Sequence, residues 1–181
     1  MRILIAYASL EGQSEKIAHR IGETLEHSGA EPLYVNTREH PEAPWPRDCN
    51  GLIAGGPLHR EHHPQELGQW LENHRSDWAE LPTAFFSVSL SAASDRQQDL
   101  DDAQRVMQEF LDEIGMDPDM TATIAGALKY SRYGFFKKRI MRNIVKKSGG
   151  KELDMSRDYE YTDWNQVDRF ATEFLASIAR K

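Results

Sequence analysis

The spacing of apolar residues along the chain changes period in a regular way. Residues 2–8, RILIAYA, are a short continuous apolar run, the mark of a strand buried on both faces. Over 13–28 the period lengthens, and Ile17, Ala18, Ile21 and Leu25 fall on one stripe of a helix. EPLYVN (31–36) reads as a second strand and GLIAGG (51–56) as a third. Between them lies TREHPEAPWPRD (37–48), whose three prolines exclude a helix interior and make it a loop. Leu67, Trp70 and Leu71 mark a helix after Pro64, and TAFFSVSL (83–90) is a fourth strand. Ala103, Val106, Met107, Phe110, Leu111 and Ile114 then repeat with helical spacing, and MTATIAG (120–126) is a fifth strand. The last helix is the clearest, with Val167, Phe170, Ala171, Phe174, Leu175 and Ile178 on one face. Asp163 followed three residues later by Gln166 fits a capping box at its start.

Strands and helices that alternate in this way predict an α/β fold: a five-stranded, doubly wound parallel sheet with helices on both faces. No repeat, linker or change of composition divides the chain, so residues 1–181 are expected to form one domain. A long insert, about 128–160, precedes the last helix and exceeds an ordinary connection.

Composition narrows the setting. The 181 residues carry a net charge of −7, and no apolar run is long enough to cross a membrane. The N-terminus turns polar too soon for a signal peptide and reads as the first strand. A single cysteine, Cys49, excludes an internal disulfide, fits a cytoplasmic protein and is expected to pack inertly. Charge is sorted rather than spread. Eight basic residues and no acid lie between Lys129 and Lys147, whereas the rest of the chain holds 14 basic against 29 acidic residues. An acidic remainder of this kind argues against a nucleic-acid binder.

In a doubly wound sheet a ligand sits outside the carboxyl ends of the strands. Three segments reach that edge. SLEGQS (9–14) enters the first helix with two hydroxyls, Ser9 and Ser14, around Gly12, where free backbone amides and the helix dipole suit a phosphate. A plain helix cap uses the same residues. The segment has neither the lysine of a Walker A loop nor the spacing of G-x-G-x-x-G, so it predicts neither ATP nor a dinucleotide. GGPLHREHHP (55–64) and SVSLSAAS (87–94) follow the third and fourth strands and hold small residues that let a planar ring approach. His59, His62 and His63 lack an accompanying carboxylate or cysteine pattern, so no metal is expected. They read as solvated loop histidines, or as one histidine beside a ring.

At these segments the chain resembles the flavodoxin-like family. More narrowly it is similar to the bacterial menaquinone-dependent protoporphyrinogen IX dehydrogenases, the flavodoxin-type protoporphyrinogen oxidases. SLEGQS (9–14), AFFSVSL (84–90), IAGALKYSRY (124–133), KKSGG (146–150) and YTDW (161–164) carry the resemblance, which spans essentially the whole chain. The resemblance implies strand order 2-1-3-4-5 and non-covalent FMN. It implies a phosphate held by Ser9, Leu10, Glu11, Gly12, Gln13 and Ser14, and a ring beside Pro57, Leu58, His59, Ser87, Val88, Ser89 and Leu90. It also implies oxidation of protoporphyrinogen IX, with menaquinone or ubiquinone as the membrane acceptor, and leaves room for a homo-oligomer. GGPLHRE (55–61) departs from the family's Ser-Ile-Arg-Tyr type stretch at Pro57, His59 and Arg60.

The insert carries the substrate-side expectations. On a helical wheel over 135–147, Ile140, Met141, Ile144 and Val145 share one half, and Lys138, Arg139, Arg142 and Lys146 share the other. This basic amphipathic pattern suits peripheral contact with an anionic inner-membrane surface; a covering helix with a solvated basic face has the same pattern. Lys129, Arg132 and Lys138 are candidates to pair the propionates of a porphyrinogen, and Tyr130, Tyr133, Phe135 and Phe136 offer it aromatic surface. No side chain is an evident acid or base, and His59 is the nearest candidate. Two other readings use the same residues: a flavodoxin-type electron carrier or quinone reductase acting on another substrate, and a membrane-surface module without flavin.

Overall fold

In a computed structural model that describes residues 1–128 and 158–179, the continuous apolar runs become the strands of one parallel sheet. β1 (Arg2–Tyr7) leads through 8–12 into α1 (Gln13–His27), and β2 (Glu31–Asn36) returns beside β1. β3 (Gly51–Pro57) follows on the other side of β1. It is succeeded by α2 (Gln65–Asn73), the short α3 (Arg75–Trp78), β4 (Thr83–Ser89), a 3-10 turn (Ser91–Ala93) and α4 (Gln97–Ile114). β5 (Met120–Ala125) completes the order β2-β1-β3-β4-β5. A second sheet pairs β6 (Ala127–Leu128) antiparallel with β7 (Tyr159–Glu160), before α5 (Trp164–Ile178).

Strand alternation sends side chains to two cores. Ile3, Ile5, Tyr7, Ile53, Ala84, Phe86 and Val88 face α1 and α5, where they meet Ile17, Ile21, Leu25, Val167, Phe170 and Phe174. Leu4, Ala6, Leu52, Ala54 and Phe85 face the other way, against Leu67, Trp70 and Leu71 of α2 and Met107, Leu111 and Ile114 of α4. Both faces are therefore covered, which is why β3 carries no polar side chain and β1 and β4 carry theirs toward their ends. A Cβ on Gly55 would stand 2.4 Å from the Phe86 ring, so the bare backbone there gives that phenylalanine its place. Cys49 is half-buried against the α2 core, its thiol donates to the Pro46 carbonyl at 3.3 Å, and burial pushes the thiol pKa up.

Boundaries differ from the sequence reading where the apolar pattern is silent. α4 begins at Gln97, six residues before Ala103, because its polar first turns lie over solvent rather than on the sheet. β5 stops at Ala125, since the Gly126 amide turns to the Ser89 carbonyl and the chain enters β6. The capping box at α5 forms only in part. Asp163 accepts from the amides of Asn165 and Gln166, but the Gln166 side chain donates to the Thr123 carbonyl instead of returning to the cap. The basic amphipathic segment lies outside the described residues.

Candidate functional site

At the carboxyl ends of β1, β3, β4 and β5 lies a cleft of about 590 Å3. Its first wall comes from the turn between β1 and α1. Gly12 takes φ 85°, a left-handed conformation that a residue with a Cβ adopts at a cost. That turn brings Ser9 under the helix start, where its Oγ accepts from the amides of Gly12 at 3.1 Å and Glu15 at 3.3 Å. Ser9 thus satisfies the amide of the N-cap residue Gly12 and one amide of the first turn, and its hydroxyl proton stays available to a ligand. The amides of Gln13 and Ser14, the next two at the helix start, have no acceptor among the described residues. Leu10, Glu11, Gln13 and Ser14 all line the cleft.

The opposite wall comes from the end of β3, the residues after it and α4. Pro57, Leu58, His59, Arg60 and Glu61 line it, together with Asp99, Asp102, Ala103, Arg105 and Val106. His59 and His62 exchange both backbone hydrogen bonds, at 2.9 and 3.2 Å, closing a two-residue turn. Arg60 (φ 52°) and Glu61 (φ 64°) are its central residues, the backbone of a type I′ turn that usually takes asparagine and glycine. Arg60 makes no ion pair among the described residues, whereas Arg105 is engaged with Glu109 at 2.7 Å and Asp102 at 3.4 Å.

The floor is the end of β4 and the turn after β5: Val88, Ser89, Leu90, Ser91, Gly126 and Ala127. The Ser89 hydroxyl accepts from the Ala92 amide, which turns the chain sharply away from the cleft. No phenylalanine, tyrosine or tryptophan lines the cleft among the described residues.

Most residues expected around a cofactor therefore converge here. Ser87 does not, because alternation along β4 points it to the α2–α4 side, where its hydroxyl meets His63 Nε2 at 3.3 Å. His63 is likewise not a solvated loop histidine. Only 7% exposed, its ring packs between Phe85 and Phe110, its Nδ1 has no hydrogen bond, and burial pushes its pKa down to about 4. Sequence reasoning missed the acidic and basic face of α4, Arg60 and Glu61 as a turn, and Thr162. The last of these stood in the YTDW motif, but nothing in its local spacing linked it to the first helix. Lys129, Tyr130, Arg132, Tyr133, Phe135, Phe136, Lys138, Arg139, Arg142 and Lys146 lie outside the described residues. On the near side of the segment that carries them, β6 reaches the cleft through Ala127, and β7 on the far side pairs with β6.

The chain is 30% identical over 173 residues to the Escherichia coli (strain K12) protein named protoporphyrinogen IX dehydrogenase (quinone), covering 96% of this chain and 94% of that one. A Leishmania major protein of the same name is 34% identical over 131 residues, 71% of this chain and 55% of that one. Among solved structures, oxidised flavodoxin 1 from Bacillus cereus superposes with a TM-score of 0.60 at 16% identity, covering 97% of this chain and 98% of that one, a likeness of fold. The flavodoxin domain family matches residues 4–154. With its sheet order, its loop-to-helix turn after β1 and this match, the chain belongs to the flavodoxin domain family.

Proposed function

We propose that this protein is an FMN-dependent oxidoreductase that oxidises protoporphyrinogen IX to protoporphyrin IX and passes the electrons to a membrane quinone, menaquinone or ubiquinone. The residues fit the cofactor. The Gln13 and Ser14 amides, the left-handed Gly12 and the Ser9 and Ser14 hydroxyls would hold a phosphate at the start of α1. Leu10, Pro57, Leu58, Val88 and Leu90 would supply apolar contact to a planar ring. Bound FMN would supply the two-electron redox chemistry, and the protein supplies binding, orientation and electrostatics.

The observation that carries the reading is the bare cleft. A ring held there would meet no aromatic side chain from the described loops, which among the described residues leaves room for a second planar molecule. The names of the two relatives support protoporphyrinogen IX as that molecule and a quinone as its acceptor. The open Arg60 guanidinium at the mouth, and Lys129, Arg132 and Lys138 of the segment outside the described residues, are the cations proposed for the propionates. His59 lines the same mouth and remains the proposed acid or base. No helix among the described residues is long and apolar enough to cross a membrane. Contact with an anionic surface is assigned to the basic segment 129–147, which lies outside the described residues.

One experiment tests the reading. FMN-loaded protein is mixed anaerobically with protoporphyrinogen IX, on anionic vesicles carrying menaquinone, on the same vesicles without it, and on neutral vesicles. Flavin absorbance should bleach without quinone, and porphyrin fluorescence should grow continuously only with it, fastest on the anionic surface. Flavin that stays oxidised in excess porphyrinogen sinks the substrate assignment and favours an electron carrier. Equal rates on neutral vesicles sink the membrane assignment alone.

A further inference from the structure

The YTDW motif, Tyr161 to Trp164, is not used by the flavin reading, yet its second residue joins two walls of the cleft. Thr162 Oγ1 donates to the Ala125 carbonyl at 2.6 Å and accepts from Gln13 Nε2 at 2.9 Å. Because the hydroxyl proton is committed to Ala125, only the amide end of the Gln13 side chain can face Thr162. That fixes the carboxamide and leaves its Oε1 buried without a partner. One residue earlier, the Tyr161 amide donates to the Gly126 carbonyl at 3.0 Å. Gln13 and Gly126 both line the cleft, one at the start of α1 and the other past the end of β5, and Thr162 itself does not. A single hydroxyl therefore ties the helix start, with its two open amides, to the turn that floors the cleft.

We propose that Thr162 is a positioning residue for the flavin site. It touches no ligand; it acts by holding Gln13 and the end of β5 at a fixed separation, so that the Gln13 and Ser14 amides meet a phosphate without rearrangement. The inference rests on the flavin reading above. Its hydrogen-bond chain also begins immediately after β7, with the Tyr161 amide.

The test is FMN affinity of the apoprotein, followed by quenching of FMN fluorescence, beside the denaturation midpoint of the apoprotein. Thr162→Val keeps the shape and removes the hydroxyl, and it should weaken FMN binding about five- to tenfold, the loss of one well-placed hydrogen bond. Thr162→Ser should restore most of the affinity. Gln13→Met, which leaves the start of α5 intact, should weaken binding to a similar extent, and the double variant should be little worse than either single one. A merely structural role would lower the midpoint and leave the affinity of the folded protein unmoved. Wild-type affinity in Thr162→Val, serine no better than valine, or fully additive losses would overturn the proposal; should Thr162→Val not fold, full affinity in Gln13→Met overturns it. Wild-type protein that takes up no FMN sinks the flavin reading itself, whereas normal uptake with no effect of Thr162→Val sinks this inference alone.

Discussion

On the α1 side of the cleft a series of side chains ties the backbone: Ser9 to Gly12 and Glu15, Gln13 to Thr162, Thr162 to Ala125, Asp163 to Asn165 and Gln166. On the other side, residues 58–61 are held by the Leu58 amide donating to the Val88 carbonyl and by a two-residue turn with Arg60 and Glu61 in the left-handed region, and the charges of α4 pair mainly with one another. The first wall is a set of helix starts whose donors have fixed directions, suited to a ligand group that never changes. The second wall can exchange its side chains without disturbing either core, suited to whatever distinguishes one substrate from another.

The sharpest break between the walls lies at the foot of the second one. His63 closes the 57–63 loop, and burial among Phe85 and Phe110 holds its pKa down to about 4 from the ordinary 6.5. Above about pH 6.5 the ring is neutral in the folded and the unfolded chain, and it contributes its full share of stability. As the pH falls from there toward about 4, the unfolded chain binds a proton that the folded chain refuses, and stability is lost; below about 4 both bind it and the loss levels off. The total loss is about 3 kcal/mol. Denaturant titrations across this window should show the wild type losing that amount relative to His63→Gln, which does not titrate. Parallel curves for the two proteins would mean that the second wall has no rigid foot.

How far this contrast could be read in the sequence follows from what each wall is made of. The sheet, its covering helices and SLEGQS were legible because burial on both faces imposes continuous apolar runs, and a helix start demands small polar residues at fixed offsets. The Asp163 cap was legible for the same local reason, while the Gln166 side chain went elsewhere because a tertiary partner, the Thr123 carbonyl, was nearer. Thr162 to Gln13 spans 149 positions, and no local spacing reports such a pair. His63 looked like its neighbours His59 and His62; only the fold shows that it alone turns inward against the α2–α4 core. The Arg60–Glu61 turn was hidden because neither residue is the glycine or asparagine that announces positive φ.

That turn supplies the next test. Glu61→Gly places at the second central position the residue the turn prefers, relieving a left-handed side chain while adding freedom to the unfolded chain. A net gain of about 0.5 kcal/mol is expected in the denaturation midpoint. FMN affinity should not change, because the tied wall is untouched. A loss of stability would show that the Glu61 side chain holds this wall; a change in FMN affinity would show that the walls are not independent.

The smallest effect is expected on the tied wall. Lys16 Nζ stands 2.9 Å from Glu160 Oε2, so this ion pair joins α1 to β7 just as Gln13 joins it to Thr162. Their side chains are 56% and 36% exposed, which leaves the pair in high dielectric and open to screening by salt. Lys16→Gln should therefore cost about 0.5 kcal/mol or less, vanish in high salt, and leave FMN affinity unchanged. If the wall were held by the number of its cross-links, this pair and the Thr162 hydroxyl would matter alike. If direction and burial hold it, the half-buried Thr162, whose proton has a single destination, outweighs a full charge pair at the same helix start. A loss of FMN affinity in Lys16→Gln as large as that in Thr162→Val would decide for cross-link number and against direction.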